Sequence, residues 1–139
     1  AFSSDFIVGF PGETKQAFNN TLKLVHDVNF CQAYSFKYSR RPGTPGSILQ
    51  GQVSEEIKRE RLAELQNILN EQQLNFNRKF IGQKFDILIE RKGKKDYQLV
   101  GKSPYMQAVH VISKHHKIGD IIETHILDAD KNSLEGNYE

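Results

Sequence analysis

Phe85-Asp86-Ile87-Leu88-Ile89-Glu90, followed by Tyr97-Gln98-Leu99-Val100-Gly101, sets apolar and polar side chains close to alternation. That is the period of a strand with one buried face. Three further runs of this kind follow, over 108–112, 121–127 and 133–138. Turn-forming clusters separate them at Lys92-Gly93, Ser103-Pro104, Ile118-Gly119-Asp120 and Asp130-Lys131-Asn132. Five short strands in about sixty residues predict a small closed β-barrel of OB-like character over residues 80–139. A domain of this size buries only ~60% of the surface its unfolded chain exposes, so modest stability is expected of it alone.

Upstream of the barrel, the periodicity changes. Ser54 precedes a long charged stretch with Ile57, Leu62, Leu65, Ile68, Leu69 and Phe76 on its apolar side. Glu55 and Glu56 fall in its first turn and Arg78 and Lys79 in its last, which suits a helix dipole. A helix over 55–79, ended by Gly82, is predicted within a linker spanning 51–79. Residues 1–50 read as α/β. The apolar run 2–10 is a buried strand broken by Pro11-Gly12. Thr14 then caps a helix over 15–28, whose stripe is Phe18, Leu22, Val25 and Val28. The aromatic run 33–38 forms a second strand, which completes a βαβ unit expected to be right-handed. Arg40-Arg41-Pro42-Gly43-Thr44-Pro45-Gly46 is a rigid cationic loop after that strand, at the rim where α/β barrels bind ligands. A buried parallel strand needs neighbours on both sides, and the chain supplies too few, so it reads as a fragment.

Composition and charge narrow the function. Of 139 residues, 37% are hydrophobic and 26% charged, and no stretch approaches the ~20 apolar residues of a membrane span. A cytoplasmic protein with no membrane partner is expected. Cys31 is the single cysteine, which excludes an internal disulfide or thiolate cluster. It reads as a small buried or half-buried residue, and no metal site is expected from this chain alone. The net charge of +2 conceals an asymmetry. Between positions 91 and 119 Arg91, Lys92, Lys94, Lys95, Lys102, Lys114 and Lys117 face a single acid, Asp96. From 120 to 139 six acids face Lys131 alone, so a basic and an acidic side of the barrel are expected. The basic run carries Tyr97 and Tyr105, and cationic grooves with stacking aromatics are what RNA-binding barrels use. Tyr97 is assigned to the core or to a cross-strand pair. Asp5 and Glu13 lack any leaving-group pocket that would make them a hydrolytic pair, and residues 9–14 lack the lysine of a phosphate-binding loop.

Ser4-Asp5-Phe6-Ile7-Val8-Gly9-Phe10-Pro11-Gly12-Glu13-Thr14 and Tyr34-Ser35-Phe36-Lys37-Tyr38-Ser39-Arg40-Arg41-Pro42-Gly43-Thr44-Pro45 together resemble the late strands of the radical S-adenosylmethionine (SAM) methylthiotransferase barrel. The following helix and strands resemble that family's linker and its C-terminal TRAM domain. The resemblance covers essentially the whole chain. It implies α/β plus all-β architecture: a terminal βαβ piece of a partial TIM-like radical-SAM barrel, a linker helix, then the five-stranded TRAM barrel. The basic, aromatic run 99–111 is similar to the tRNA-directed, MiaB-type branch, which adds a methylthio group to N6-isopentenyladenosine beside the anticodon. The sibling branch, which modifies a ribosomal protein, tends to be acidic there.

The full enzyme implied by this likeness uses SAM and two [4Fe–4S] clusters held by cysteines of upstream domains. No catalytic residue and no cluster ligand is then expected here, and the fragment should be inert by itself. The likeness implies that Gly9, Phe10, Pro11, Gly12 and Glu13 lie beside the adenosyl group of SAM. Glycines permit close backbone approach, and the next helix offers free N–H groups. Asp5 stands where the wider pattern often has glycine. Arg40 and Arg41 would meet an anion, either the SAM carboxylate or an RNA phosphate. In the barrel, Arg91, Lys92, Lys94, Lys95, Lys102, Lys114 and Lys117 would contact tRNA phosphates while Tyr105 stacks on a base. The alternative readings are a stand-alone TRAM-type RNA-binding module without catalysis and the sibling methylthiotransferase acting on a ribosomal protein.

Overall fold

The structure, a computed structural model, describes residues 1–138. It divides into two compact units, Ala1–Gln72 and Gln73–Glu139. No helix among the described residues is long and apolar enough to cross a membrane.

The first unit begins with β1 (Ser3–Val8), α1 (Lys15–Val28) and β2 (Gln32–Lys37). The strands pair in parallel, with Asp5 opposite Tyr34 and Ile7 opposite Phe36. The strand expected over 2–10 is shorter because Gly9 turns the chain into the left-handed region at φ 75°. The Thr14 hydroxyl caps α1 by accepting the Ala17 N–H at 3.0 Å. Asn29 ends the helix in a left-handed conformation, and its N–H donates to the Val25 carbonyl. The α1 stripe packs as its spacing predicts: Phe18 and Val25 are buried with Val8, Phe30, Leu65 and Leu69, and Leu22 and Val28 pack against them. The opposite face of the parallel pair leaves Ile7, Tyr34 and Phe36 exposed.

After a 3-10 turn at Pro45–Ile48 comes α2 (Glu55–Arg78), whose Ser54 cap accepts the Ile57 N–H at 3.3 Å. Leu65 and Leu69 occupy the apolar side that the sequence indicates. One position inverts the expectation. Ile57 is exposed, whereas its neighbour Lys58 is only 3% exposed. The reason lies in the polar partners of Lys58, described below.

The second unit is a closed barrel of β3 (Lys84–Lys92), β4 (Gln98–Lys102), β5 (Ala108–Ile112), β6 (Ile121–Ala129) and β7 (Ser133–Asn137). Its strand order is β3-β4-β5-β7-β6, closed by the antiparallel β3–β6 pair. Only β5 and β7 run parallel. Ile87, Ile89, Leu99, Val109, Val111, Ile122, Ile126 and Leu134 fill the interior, with Phe80 against them. Register shifts after Ile89 and after Ile126 mark bulges that bend β3 and β6. Gly136 is required where β6 and β7 close in. A Cβ there would lie 2.5 Å from the Thr124 methyl and 2.6 Å from the His125 carbonyl oxygen. The five strands and their four turns fall where the sequence indicates. One shift is that β4 starts at Gln98, since Tyr97 has φ 61° and cannot extend a strand.

Candidate functional site

In the first unit, the residues singled out from the sequence gather at the carboxyl ends of β1 and β2. Glu13 folds back so that its Oε1 accepts the Gly9 N–H at 2.9 Å. Arg61, from α2, donates through Nη1 to that same oxygen at 2.7 Å and to the Glu13 carbonyl at 3.0 Å. The guanidinium also lies 5.6 Å from the centre of the Phe18 ring. Both side chains of this ion pair are largely buried, so the turn is held by a charge-assisted bond shielded from water.

One helical turn earlier, Lys58 performs a parallel task. Its ammonium donates to the Tyr38 carbonyl at 3.0 Å and pairs with Glu55 at 2.7 Å. Its stem fills the space a Cβ on Gly9 would need. Lys37 adds a second contact to Glu55 at 3.2 Å. The Lys58 ammonium, and secondarily that of Lys37, hold the Glu55 carboxyl below its ordinary value of 4.5. Lys58 and Arg61 escape a reading by periodicity, because the carbonyls of Tyr38 and Glu13 and the Glu13 carboxylate that they bond are distant in sequence.

A groove of about 570 Å³ opens beside this turn, lined by residues that include Ile7, Phe10, Phe36, Tyr38, Arg41 and Thr44. Phe10 meets Tyr38 edge to face at 5.1 Å. The Tyr38 hydroxyl is buried against Gly46 with no hydrogen-bond partner. Arg41 reaches the groove, whereas Arg40 is turned into its own loop, where Nε donates to the Ser47 carbonyl at 2.6 Å. Pro11 is half-buried and Gly12 exposed, and the Gly12 N–H donates to the Gly51 carbonyl at 2.8 Å. Cys31 is half-buried, its Sγ 3.1 Å from the Phe2 carbonyl oxygen. Among the described residues no three His, Cys, Asp or Glu side chains converge as a metal site.

On the barrel, Arg91, Lys94 and Lys95 line a depression of about 480 Å³ with Gln98, His110 and Asn132. Asp130 and Glu135 line it too, which departs from the expected separation of a basic from an acidic side. The topology explains the mixture: β7 lies beside β5 and brings Glu135 opposite His110. Asp130 Oδ1 is occupied by the N–H groups of Asn132 and Ser133, each at 2.7 Å. Lys92 and Lys102 are exposed at the ends of β3 and β4, outside the lining residues of this depression. Lys117 is exposed in the turn before β6, where its N–H donates to Asp120. Lys114 stands over the Tyr97 ring, its ammonium 4.9 Å from the centroid.

The two tyrosines of the basic run differ in setting. Tyr105 packs among Phe80, Phe76 and Phe85 at centroid distances of 4.9, 6.0 and 6.4 Å, with 47% of its surface exposed. Its loop is pinned by the buried Ser103, whose Oγ accepts the Tyr105 N–H at 3.1 Å and donates to Gln107 at 2.6 Å. Gln107 in turn donates to the buried Asn77 at 2.8 Å. Tyr97, assigned from sequence to the core or a cross-strand pair, is instead 58% exposed.

Comparison with known proteins adds kinship. Residues 78–138 match the TRAM domain. The chain is 55% identical over 139 residues to the tRNA-2-methylthio-N(6)-dimethylallyladenosine synthase of Ehrlichia canis (strain Jake), covering 98% of this chain and 32% of that protein. Proteins of the same name from Zymomonas mobilis subsp. mobilis and Ehrlichia ruminantium (strain Gardel) are 50% and 49% identical over 138 residues. These cover 99% and 98% of this chain. The chain thus spans 31–32% of the length of these relatives.

Proposed function

We propose, for a chain that carries a TRAM domain and groups by sequence with the tRNA methylthiotransferases, that it is the C-terminal part of an enzyme adding a methylthio group to N6-isopentenyladenosine beside the anticodon. In this reading the barrel supplies tRNA affinity and the Gly9–Glu13 turn supplies part of a cofactor rim. The carrying observation is the depression on the closed barrel lined by Arg91, Lys94 and Lys95, three cations against the two acids Asp130 and Glu135. Three cations around one concavity suit a phosphate backbone, and contacts of that kind give affinity with little sequence choice. Lys92, Lys102, Lys114 and Lys117 extend the cationic surface, and the exposed part of Tyr105 offers a stacking edge.

SAM is the cofactor this reading requires, with two [4Fe–4S] clusters. The first-unit groove suits SAM: Phe10 and Tyr38 form an aromatic wall for a flat base, and Arg41 offers a cation for a carboxylate. Bound SAM would supply a radical source and a methyl group to the complete enzyme. Within this chain Glu13 and Arg61 keep the turn shaped, and Gly9 lets its backbone pass against Lys58. Gly12 and Pro11 complete the turn, and Arg40 braces the loop that presents Arg41. The described residues do not fit an iron–sulfur cluster, since no metal-ligating group converges among them. The cluster ligands belong to other parts of the protein in this reading, and the 139 residues alone are inactive, with a cytoplasmic location.

A chimera tests the proposal. The corresponding 31% of the Zymomonas mobilis relative would be replaced by this chain, and methylthio incorporation into tRNA measured. Activity comparable to the parent supports the enzyme reading. A chimera that folds and binds tRNA yet makes no product favours an RNA-binding module without catalysis.

A further inference from the structure

We infer that Tyr97, with Lys114 held against it, is the principal base-stacking residue of the barrel, ahead of Tyr105, and takes an unpaired nucleotide at the edge of the cationic depression. The inference rests on the RNA-binding reading and deepens it by naming the contact and the ligand class: single-stranded RNA, such as a hairpin loop.

Four observations meet at Tyr97. Tyr97 is 58% exposed, more than Tyr105, and no ring pair among the described residues includes it, whereas Tyr105 packs on three rings. Its backbone sits in the left-handed region at φ 61°, a conformation that crowds Cβ against the carbonyl in any residue with a side chain. A bulky aromatic is poorly suited to that position, and glycine or asparagine would serve the fold better. Backbone strain of this kind clusters at binding and switch sites, where the surrounding structure holds it in place. The turn fixes the ring's base firmly: Gln98 N–H donates to the Lys95 carbonyl at 3.1 Å, and Ser113 N–H donates to the Tyr97 carbonyl at 2.9 Å.

The electrostatic setting completes the case. Lys114 Nζ lies 4.9 Å from the ring centroid, a cation–π contact that stiffens the ring and adds a charge for the phosphate of a stacked nucleotide. Lys94 and Lys95, three and two residues before Tyr97, line the depression itself. An aromatic face next to a cationic groove is the arrangement by which barrels hold single strands. Tyr105, by contrast, spends much of its ring on Phe76, Phe80 and Phe85, so its removal should disturb packing more than recognition.

The test uses the whole chain and an RNA hairpin with an unpaired loop, and compares binding with thermal stability. Tyr97→Gly should weaken RNA binding about 5- to 100-fold while the melting temperature stays level or rises. Tyr97→Phe should bind like the parent, and Tyr97→Asn, which tolerates the left-handed turn, should repeat the loss. The charge reversals Lys94→Glu and Lys95→Glu serve as the independent control. If these weaken binding while Tyr97→Gly and Tyr97→Asn bind as the parent does, the stacking assignment is overturned and the RNA reading stands. If neither the reversals nor the Tyr97 variants change binding, the RNA reading itself fails.

Discussion

The stem of Lys58 lies where a Cβ on Gly9 would have to sit, and the same lysine's ammonium donates to the carbonyl of Tyr38 at 3.0 Å. One side chain from α2 thereby fixes the ends of both β1 and β2. Gly9→Ala should lower the stability of the first unit by about 1–2 kcal/mol from the left-handed backbone alone, and by more once the lysine stem is displaced. Chemical denaturation monitored on the helical signal would measure it, and Gly9→Asn should be milder at the backbone because Asn tolerates φ near 75°.

Glu13 and Arg61 should be energetically coupled. Arg61 bonds both the carboxylate and the carbonyl of Glu13, and that carboxylate also accepts the Gly9 N–H. Glu13→Ala and Arg61→Ala should each cost about 1–3 kcal/mol. A double-mutant cycle should show the pair costing less than the sum of the singles.

Lowering the pH should remove a stabilising contribution at Glu55. Its carboxyl is held below 4.5 in the folded chain, first by Lys58 and then by Lys37. The stabilisation is full above the unfolded value and is lost as the pH falls through the folded one. Glu55→Gln should therefore flatten the acid limb of the stability profile. Lys37→Ala should move the Glu55 carboxyl back toward 4.5 when followed by NMR titration.

Asn77→Ala should loosen the loop that carries Tyr105. Asn77 donates to the Asp130 carbonyl and accepts from Gln107, both at 2.8 Å. Its loss leaves those groups unpaired near the barrel interior, at about 1–3 kcal/mol. Hydrogen exchange should quicken at the Tyr105 amide, whose partner Ser103 depends on Gln107 for its own orientation.

The barrel was legible because its signals are local. Alternation fixed which side chains face inward, and Gly-, Pro- and Asp-containing turns fixed where strands end, so Ile87, Ile89, Val109 and Val111 fall in the core as their spacing demands. The same holds for Phe18 and Val25 on α1. What escaped were positions decided by distant partners. Lys58 is buried and Ile57 exposed because the Tyr38 carbonyl, just past β2, awaits a donor there. Glu135 joins the cations because β7 inserts beside β5, a pairing no local pattern encodes. Tyr97 looked like a strand residue by alternation, yet its left-handed backbone turns it to solvent.

If the barrel's depression binds tRNA through its phosphates, the tRNA affinity of the 139-residue chain should depend steeply on salt. With contacts from Arg91, Lys94, Lys95 and their cationic neighbours, the logarithm of the binding constant should fall against the logarithm of salt with a slope steeper than about −2. Lys94→Glu with Lys95→Glu should make that slope shallower and weaken binding. A flat salt response, unchanged by the two reversals, would contradict the account.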